Sequence, residues 1–340
     1  MANTALNVSK LEIGYPQKKG PPVRVAGPMD VAIFPGELIC LLGPNGVGKT
    51  TLLRTIAGIQ PSLGGKISIL DLEMSEIRKK KLAKLLSVVL TDRINHGNLT
   101  AFDLISLGRT PHTGWFGNLR DDDLNRVDWA IENTNVKHLA GKSIHQLSDG
   151  ERQKVMIARA LAQDTPVILL DEPTAHLDLP NRIDIIRLLR KLVRETDKAI
   201  IMSTHELDLA LQAADKIWLM SMGNKTFSGA PEDLVLNDIF GEAFIREGID
   251  FDKRHGLFKV VTPHCGEIQV SGNEVGVFWT RRALERLGYS VTGRKDCARS
   301  IRIELKNDEW VWRYNSRDKT EVFSSVEALI CHLKPKGGKV

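Results

Sequence analysis

"ELICLLGPNGVGKTTLLRTIAG", residues 37–58, decides the fold. Its opening "ELICLLG" is an apolar run of strand length, the kind buried on both faces of a parallel sheet. "GPNGVGKT" (43–50) follows and fits G-x-x-x-x-G-K-[ST], and "TLLRTIAG" continues with helical spacing. Gly43, Gly46 and Gly48 let the backbone curl until successive N–H groups face one point, at a helix N-terminus that favours anions. Lys49 is placed to reach the outer phosphates of a nucleotide, and the Thr50 hydroxyl to hold Mg2+. The turn formed by Gly43, Pro44, Asn45, Gly46, Val47, Gly48, Lys49, Thr50 and Thr51 is therefore a candidate nucleotide site.

Outward from this turn, similar apolar runs recur at "LLSVVL" (85–90), "PVILL" (166–170), "AIIMS" (199–203) and "KIWLMSM" (216–222). Helical patterns lie between them at 152–163, 181–195 and 206–214. Such alternation predicts an α/β fold. The segment from about 75 to 165 is mostly helical in pattern and reads as an insert into the sheet domain. Near residue 250 the character changes. "HGLFKVV", "GEIQVSG", "VGVFW", "SIRIEL" and "EWVWRY" read as short strands, with helices at "TRRALERLG" (280–288) and "SVEALICHLK" (325–334). The expected division is 1–248 for the nucleotide-binding part and 249–340 for a small α+β domain.

"VILLDEPTAHLD" (167–178) puts two carboxylates at the carboxyl end of an apolar strand, where open α/β sheets bind ligands. Asp171 suits Mg2+ coordination, and Glu172 suits polarising the water that attacks a γ-phosphate. "QLSDGERQKV" (146–155) carries Ser148 and Glu151 in the S-x-x-E arrangement of a capping box. Gly150, in the first turn, admits another group close to the backbone.

Lys49 with Thr50, Asp171 with Glu172, "LSDGE" (147–151) and "STHE" (203–206) occur in an order and spacing that resemble the ATP-binding subunits of ABC transporters. The resemblance covers roughly residues 5–245. It implies a RecA-like P-loop ATPase core with an N-terminal β subdomain and an inserted helical subdomain. It also implies that Tyr15 stacks on adenine, that His205 contacts the γ-phosphate, and that Asp178 lies in a loop communicating between subunits. By the same resemblance Ser148 and Gly150 read ATP held by a second copy of the chain.

Three departures stand out. Asp149 and Glu151 occupy positions where that family has glycine and glutamine. A carboxylate 4 Å from a phosphate costs about 4 kcal/mol at an effective dielectric of 20, against about 0.3–1 kcal/mol gained from the helix dipole. Both carboxylates are thus expected to turn away from the phosphate. In "VVLTDR", Asp92 stands where the family has glutamine, with Thr91 the alternative if the alignment shifts by one. A carboxylate there remains a hard-oxygen ligand for Mg2+.

"GRTPHTG" (108–114) and "TAHLDLPNR" (174–182) resemble the branch that powers import of iron–siderophore complexes, haem and cobalamin. Implied partners are a second copy, a membrane permease and, indirectly, a periplasmic or lipoprotein binding protein. The alternative is a soluble ABC-class ATPase acting on ribosomes or DNA, but each motif occurs once and no heptads are sustained. A net charge of +5 gives weak support for an anionic partner, and no nucleic-acid partner is expected. Four scattered cysteines indicate a reducing compartment rather than a disulfide framework. No signal peptide is legible and no apolar run approaches the ~18 residues of a membrane helix. The expected location is peripheral, on the cytoplasmic face of the inner membrane. His264–Cys265, Cys297 and Cys331–His332 offer soft ligands but lack C-x-x-C spacing.

Overall fold

The computed structural model describes residues 4–90, 98–114, 117–244, 249–260, 262–293, 297–317 and 319–334. Contacts divide the chain into two compact units, Met1–Ile245 with Lys253–Leu257, and Arg246–Asp252 with Phe258–Val340.

In the first unit, β1 (Leu6–Tyr15) and β2 (Val23–Ile33) precede β3 (Leu38–Leu42) and α1 (Lys49–Ile56). β4 (Gly64–Ile69) and β5 (Leu72–Glu73) then return to the first two strands, in an antiparallel sheet ordered β2-β1-β4-β5. Next come α2 (Lys79–Leu82), β6 (Leu86–Val89), α3 (Ala101–Ser106), α4 (Asp121–Asn133), α5 (Asp149–Ala162) and β7 (Val167–Leu170). The unit continues with α6 (Leu179–Thr196), β8 (Ala199–Ser203), α7 (Leu207–Ala213), β9 (Lys216–Met220), β10 (Thr226–Gly229), α8 (Pro231–Leu236) and α9 (Ile239–Ala243).

The central sheet runs β10-β9-β3-β8-β7-β6 and is parallel except for β10. β3, β7 and β8 are buried along their whole length, as their unbroken apolar runs require. Their registers place the carboxyl ends of β3, β8 and β7 side by side. Three loops at that edge build the candidate site. The stretch expected as a helical insert, 75–165, is not one body. β6 within it is apolar, pairs with β7 and forms an edge of the central sheet, so the helical excursion runs from α3 to α5.

The second unit opens with β11 (Ile249–Asp252) and β12 (Leu257–Val260), which form a two-stranded sheet. β13 (Gly266–Gly272), α10 (Glu274–Arg286), β14 (Tyr289–Thr292), β15 (Ser300–Lys306), β16 (Glu309–Ser316), β17 (Lys319–Phe323) and α11 (Val326–Leu333) complete it. Its sheet is ordered β14-β13-β15-β16-β17 and has its own core around Ile268, Ile301, Ile303, Trp312 and Leu329. "VGVFW" is not a strand: it is the first half of α10. Asn273 Oδ1 accepts from Val275 N at 3.1 Å and Gly276 N at 3.3 Å, which starts a helix where alternation suggested extension. Among the described residues no helix is long and apolar enough to cross a membrane.

Candidate functional site

The phosphate loop joins β3 to α1. Gly43 has φ 152°, and a Cβ there would lie 2.5 Å from Met220 O, so only glycine lets the loop leave the strand in this direction. Nothing lies within 4 Å of the Cβ position of Gly46, which leaves its side of the loop open. Lys49 is buried, and its Nζ donates to Gly43 O at 2.9 Å and Pro44 O at 3.3 Å. Burial pulls its ammonium below the usual lysine range, while Glu172 and Asp171 pull the other way. An ammonium hydrogen-bonded to its own loop's carbonyls can exchange them for phosphate oxygens.

The acidic strand end meets this loop directly. Thr50 Oγ1 donates to Asp171 Oδ1 at 3.3 Å, and Ser203 Oγ donates to the same oxygen at 2.7 Å. Ser203 Oγ also accepts from Glu172 N at 2.8 Å. Glu172 has φ 49°, a left-handed conformation that costs a non-glycine residue about 1–3 kcal/mol and persists only where the surroundings enforce it. The Ser203 bond is part of that enforcement. His205 Nε2 lies 2.6 Å from Glu172 Oε1, so the loops after β7 and β8 present an acid and an imidazole together. Tyr15 reaches the same edge from β1: its hydroxyl is 3.1 Å from Thr51 Oγ1 while the residue stays half exposed.

Sequence reasoning passed over Ser203. Its signal was available, because it stands two residues before His205 at the end of an apolar run. The register that pairs Leu170 with Met202 sets Asp171 beside it.

At the start of α5 the capping box forms as the spacing predicts. Ser148 Oγ accepts from Glu151 N at 3.2 Å, and Glu151 Oε2 accepts from Ser148 N at 2.9 Å. That backbone bond holds the Glu151 carboxyl below the usual range. Asp149 pairs with Arg152 at 3.3 Å. Both carboxylates thus have partners within the chain, Glu151 also lying 3.9 Å from Lys142 Nζ. Gly150 has a reason inside the chain, however. A Cβ there would come within 2.8 Å of the Asn181 side chain, and Asn181 Nδ2 is fixed to Asp178 Oδ1 at 2.6 Å. The smallness of Gly150 therefore seats the first turn of α6 against the first turn of α5.

The "GRTPHTG" segment also has a structural explanation. Gly108 lets the chain approach α5, since a Cβ would lie 2.3 Å from Arg159 O. Arg109 is buried, with Nε 2.9 Å from Asp123 Oδ1 and Nη1 2.9 Å from Ala162 O. It ties α4 to the end of α5. Asp92 and Thr91 lie outside the described residues. The scattered His and Cys of the second unit do not assemble: among the described residues no group of three or more metal-ligating side chains occurs. His264 Nδ1 instead lies 3.1 Å from Ser290 Oγ, and His332 pairs with Glu321.

A phosphate loop, an acidic strand end, a capped "LSDGE" turn and a histidine joined to the second acid define an ABC-type P-loop ATPase. Known proteins agree. The ABC transporter family model matches residues 27–175, and the model for an iron ABC transporter C-terminal domain matches 265–334. An uncharacterised ABC transporter ATP-binding protein of Methanocaldococcus jannaschii is 38% identical, over 75% of this chain and 86% of its own. The petrobactin import ATP-binding protein of Bacillus anthracis is 36% identical over 68% of this chain and 84% of its own. A solved metal-chelate type ABC transporter in an inward-facing conformation superposes with a TM-score of 0.61 at 27% identity, over 71% of this chain and 89% of that one. The chain belongs to the ABC transporter family as an ATP-binding protein, an ATPase coupled to transport.

Proposed function

We propose that this ATPase drives import of an iron chelate or a related metal chelate through a membrane permease, working as a homodimer on the cytoplasmic face. The observation that carries the ATPase chemistry is the 2.6 Å contact between His205 and Glu172, set beside the phosphate loop. Glu172 accepts the proton of the attacking water, and His205 orients Glu172 and the γ-phosphate. Lys49 neutralises phosphate charge and Tyr15 offers its ring to adenine. The oxygen set of Thr50 and Asp171, already bridged by hydrogen bonding, fits Mg2+. Thr50 and Asp171 would hold the ion, which would neutralise charge on the phosphates; Asp92 is a further candidate ligand.

Ser148 and Gly150 complete the ATP site of the second copy. The iron-type C-terminal match and the petrobactin relative support the cargo class. Ferric enterobactin transport by an Escherichia coli relative, 32% identical over 69% of this chain and 84% of its own, supports it too.

The test is uptake of labelled ferric siderophore, haem and cobalamin by cells lacking the gene. Wild-type protein restores one of these, and Glu172→Gln restores none. Unchanged uptake of all three, with the protein co-sedimenting with ribosomes, would favour the soluble alternative.

A further inference from the structure

In the second unit, α10 presents two different faces. Gly276, Thr280, Ala283 and Leu284 are buried, and Thr280 Oγ1 accepts from Trp312 Nε1 at 2.8 Å. The other face leaves Val275 59%, Phe278 38% and Trp279 56% exposed. The two rings meet edge-on at 5.3 Å, and the Arg282 guanidinium lies over both, at 5.4 and 5.5 Å from their centroids. Two rings and a guanidinium already held in place form the kind of anchor that dominates protein interfaces, and their order lowers the entropy lost on binding.

Charge selects what covers this face. Glu274 opens α10, while Arg282 and Arg286 follow at its far end. Neither Glu274 nor Arg286 has an ion-pair partner among the described residues. We propose that this face pairs with the same face of a second copy of this chain, the two α10 helices running antiparallel with Trp279 near the twofold axis. Glu274 and Arg282 are eight residues, about 12 Å, apart along the helix, with their midpoint at Phe278, next to Trp279. Antiparallel crossing near Trp279 therefore brings Glu274 of one copy opposite Arg282 of the other, twice. The helix dipoles also oppose favourably. A parallel arrangement sets like charges together, and a basic partner surface meets Arg282 and Arg286 with repulsion. The contact is isologous, as a closed dimer requires.

The test separates this contact from closure on ATP. Full-length protein carrying Lys49→Ala is studied without nucleotide by sedimentation equilibrium over a range of concentrations. A monomer–dimer equilibrium is expected, weakened about tenfold or more by Trp279→Ala. Glu274→Arg and Arg282→Glu should each weaken it, and combining them should restore it to within about threefold, since the pair is exchanged across the axis. Far-ultraviolet dichroism checks that each variant folds. A monomer at every concentration, or a double variant no better than its single parents, overturns the proposal. Loss of ATP-driven dimerisation in otherwise unaltered protein, with this equilibrium intact, counts against the composite ATP site instead.

Discussion

Two polar clusters in the first unit use the same kinds of residue to opposite ends. At the edge where β3, β7 and β8 finish, Thr50, Asp171, Ser203, Glu172 and His205 are linked by hydrogen bonds beside Lys49, yet the His205 and Glu172 side chains remain 42% and 29% exposed. Inside the helical excursion, Arg109 and Asp123 form an ion pair whose side chains are each 8% exposed. The first cluster can exchange its internal bonds for those of a ligand. The second has no opening toward one, so its charges hold helices. Burial raises the cost of the Asp123 charge, but bonds from Arg120 and Arg109 outweigh it and hold the carboxyl below its usual range. A charged motif therefore acquires a role from what its partners face, not from its composition.

The largest expected effect lies in the first cluster. Glu172→Gln keeps the side chain's size and removes the base, so ATP turnover should fall about 10²- to 10⁴-fold while the melting temperature barely moves. Phosphate release and a thermal melt measure the two together. Near-normal turnover would remove Glu172 from the chemistry.

Arg109→Ala should behave in the reverse manner. It leaves Asp123 buried without its cation, a loss of about 3–5 kcal/mol. At about 2–4 °C per kcal/mol for a unit of this size, the melting temperature should drop by about 6–20 °C. Turnover at low temperature, where the fold persists, should remain within a few-fold of wild type. Unchanged stability with abolished turnover would move the motif into the catalytic cluster and collapse the comparison.

The smallest effect is expected at Glu206, which stands beside His205 but pairs with Arg182 at 3.0 Å. Burial raises its carboxyl above the usual range, against the pull of Arg182. The unfolded chain then ionises first as pH rises, so the folded state loses stability between the unfolded and the raised folded pKa. Glu206→Gln has no such loss. The melting temperature of the variant minus that of wild type should therefore increase from pH 4 to pH 7. A constant difference would show that Arg182 fully offsets burial.

The first cluster was legible because its parts are local runs: a strand, a glycine-rich turn and a lysine, or a strand and two acids. The parallel order of the sheet brings such runs together. Arg109 is harder to read. Asp123 lies on another helix, and its second acceptor is the Ala162 carbonyl, which no residue type announces. "VGVFW" failed for a different reason: over five residues an apolar stretch satisfies both periods, and the decision belongs to the Asn273 cap outside it. Asn181 was invisible as a contact because its meaning depends on the absent side chain of Gly150.

That last contact has an evolutionary consequence. Position 150 and position 181 are far apart in the chain but compete for one volume, so a substitution at either is expected to constrain the other. A lineage that shortens residue 181 gains freedom to place alanine at 150, whereas alanine arriving first meets the amide. Chimeras between relatives that split the chain between α5 and α6 should lose thermal stability when the two parents carry clashing residues at these two places, which a thermal melt would read.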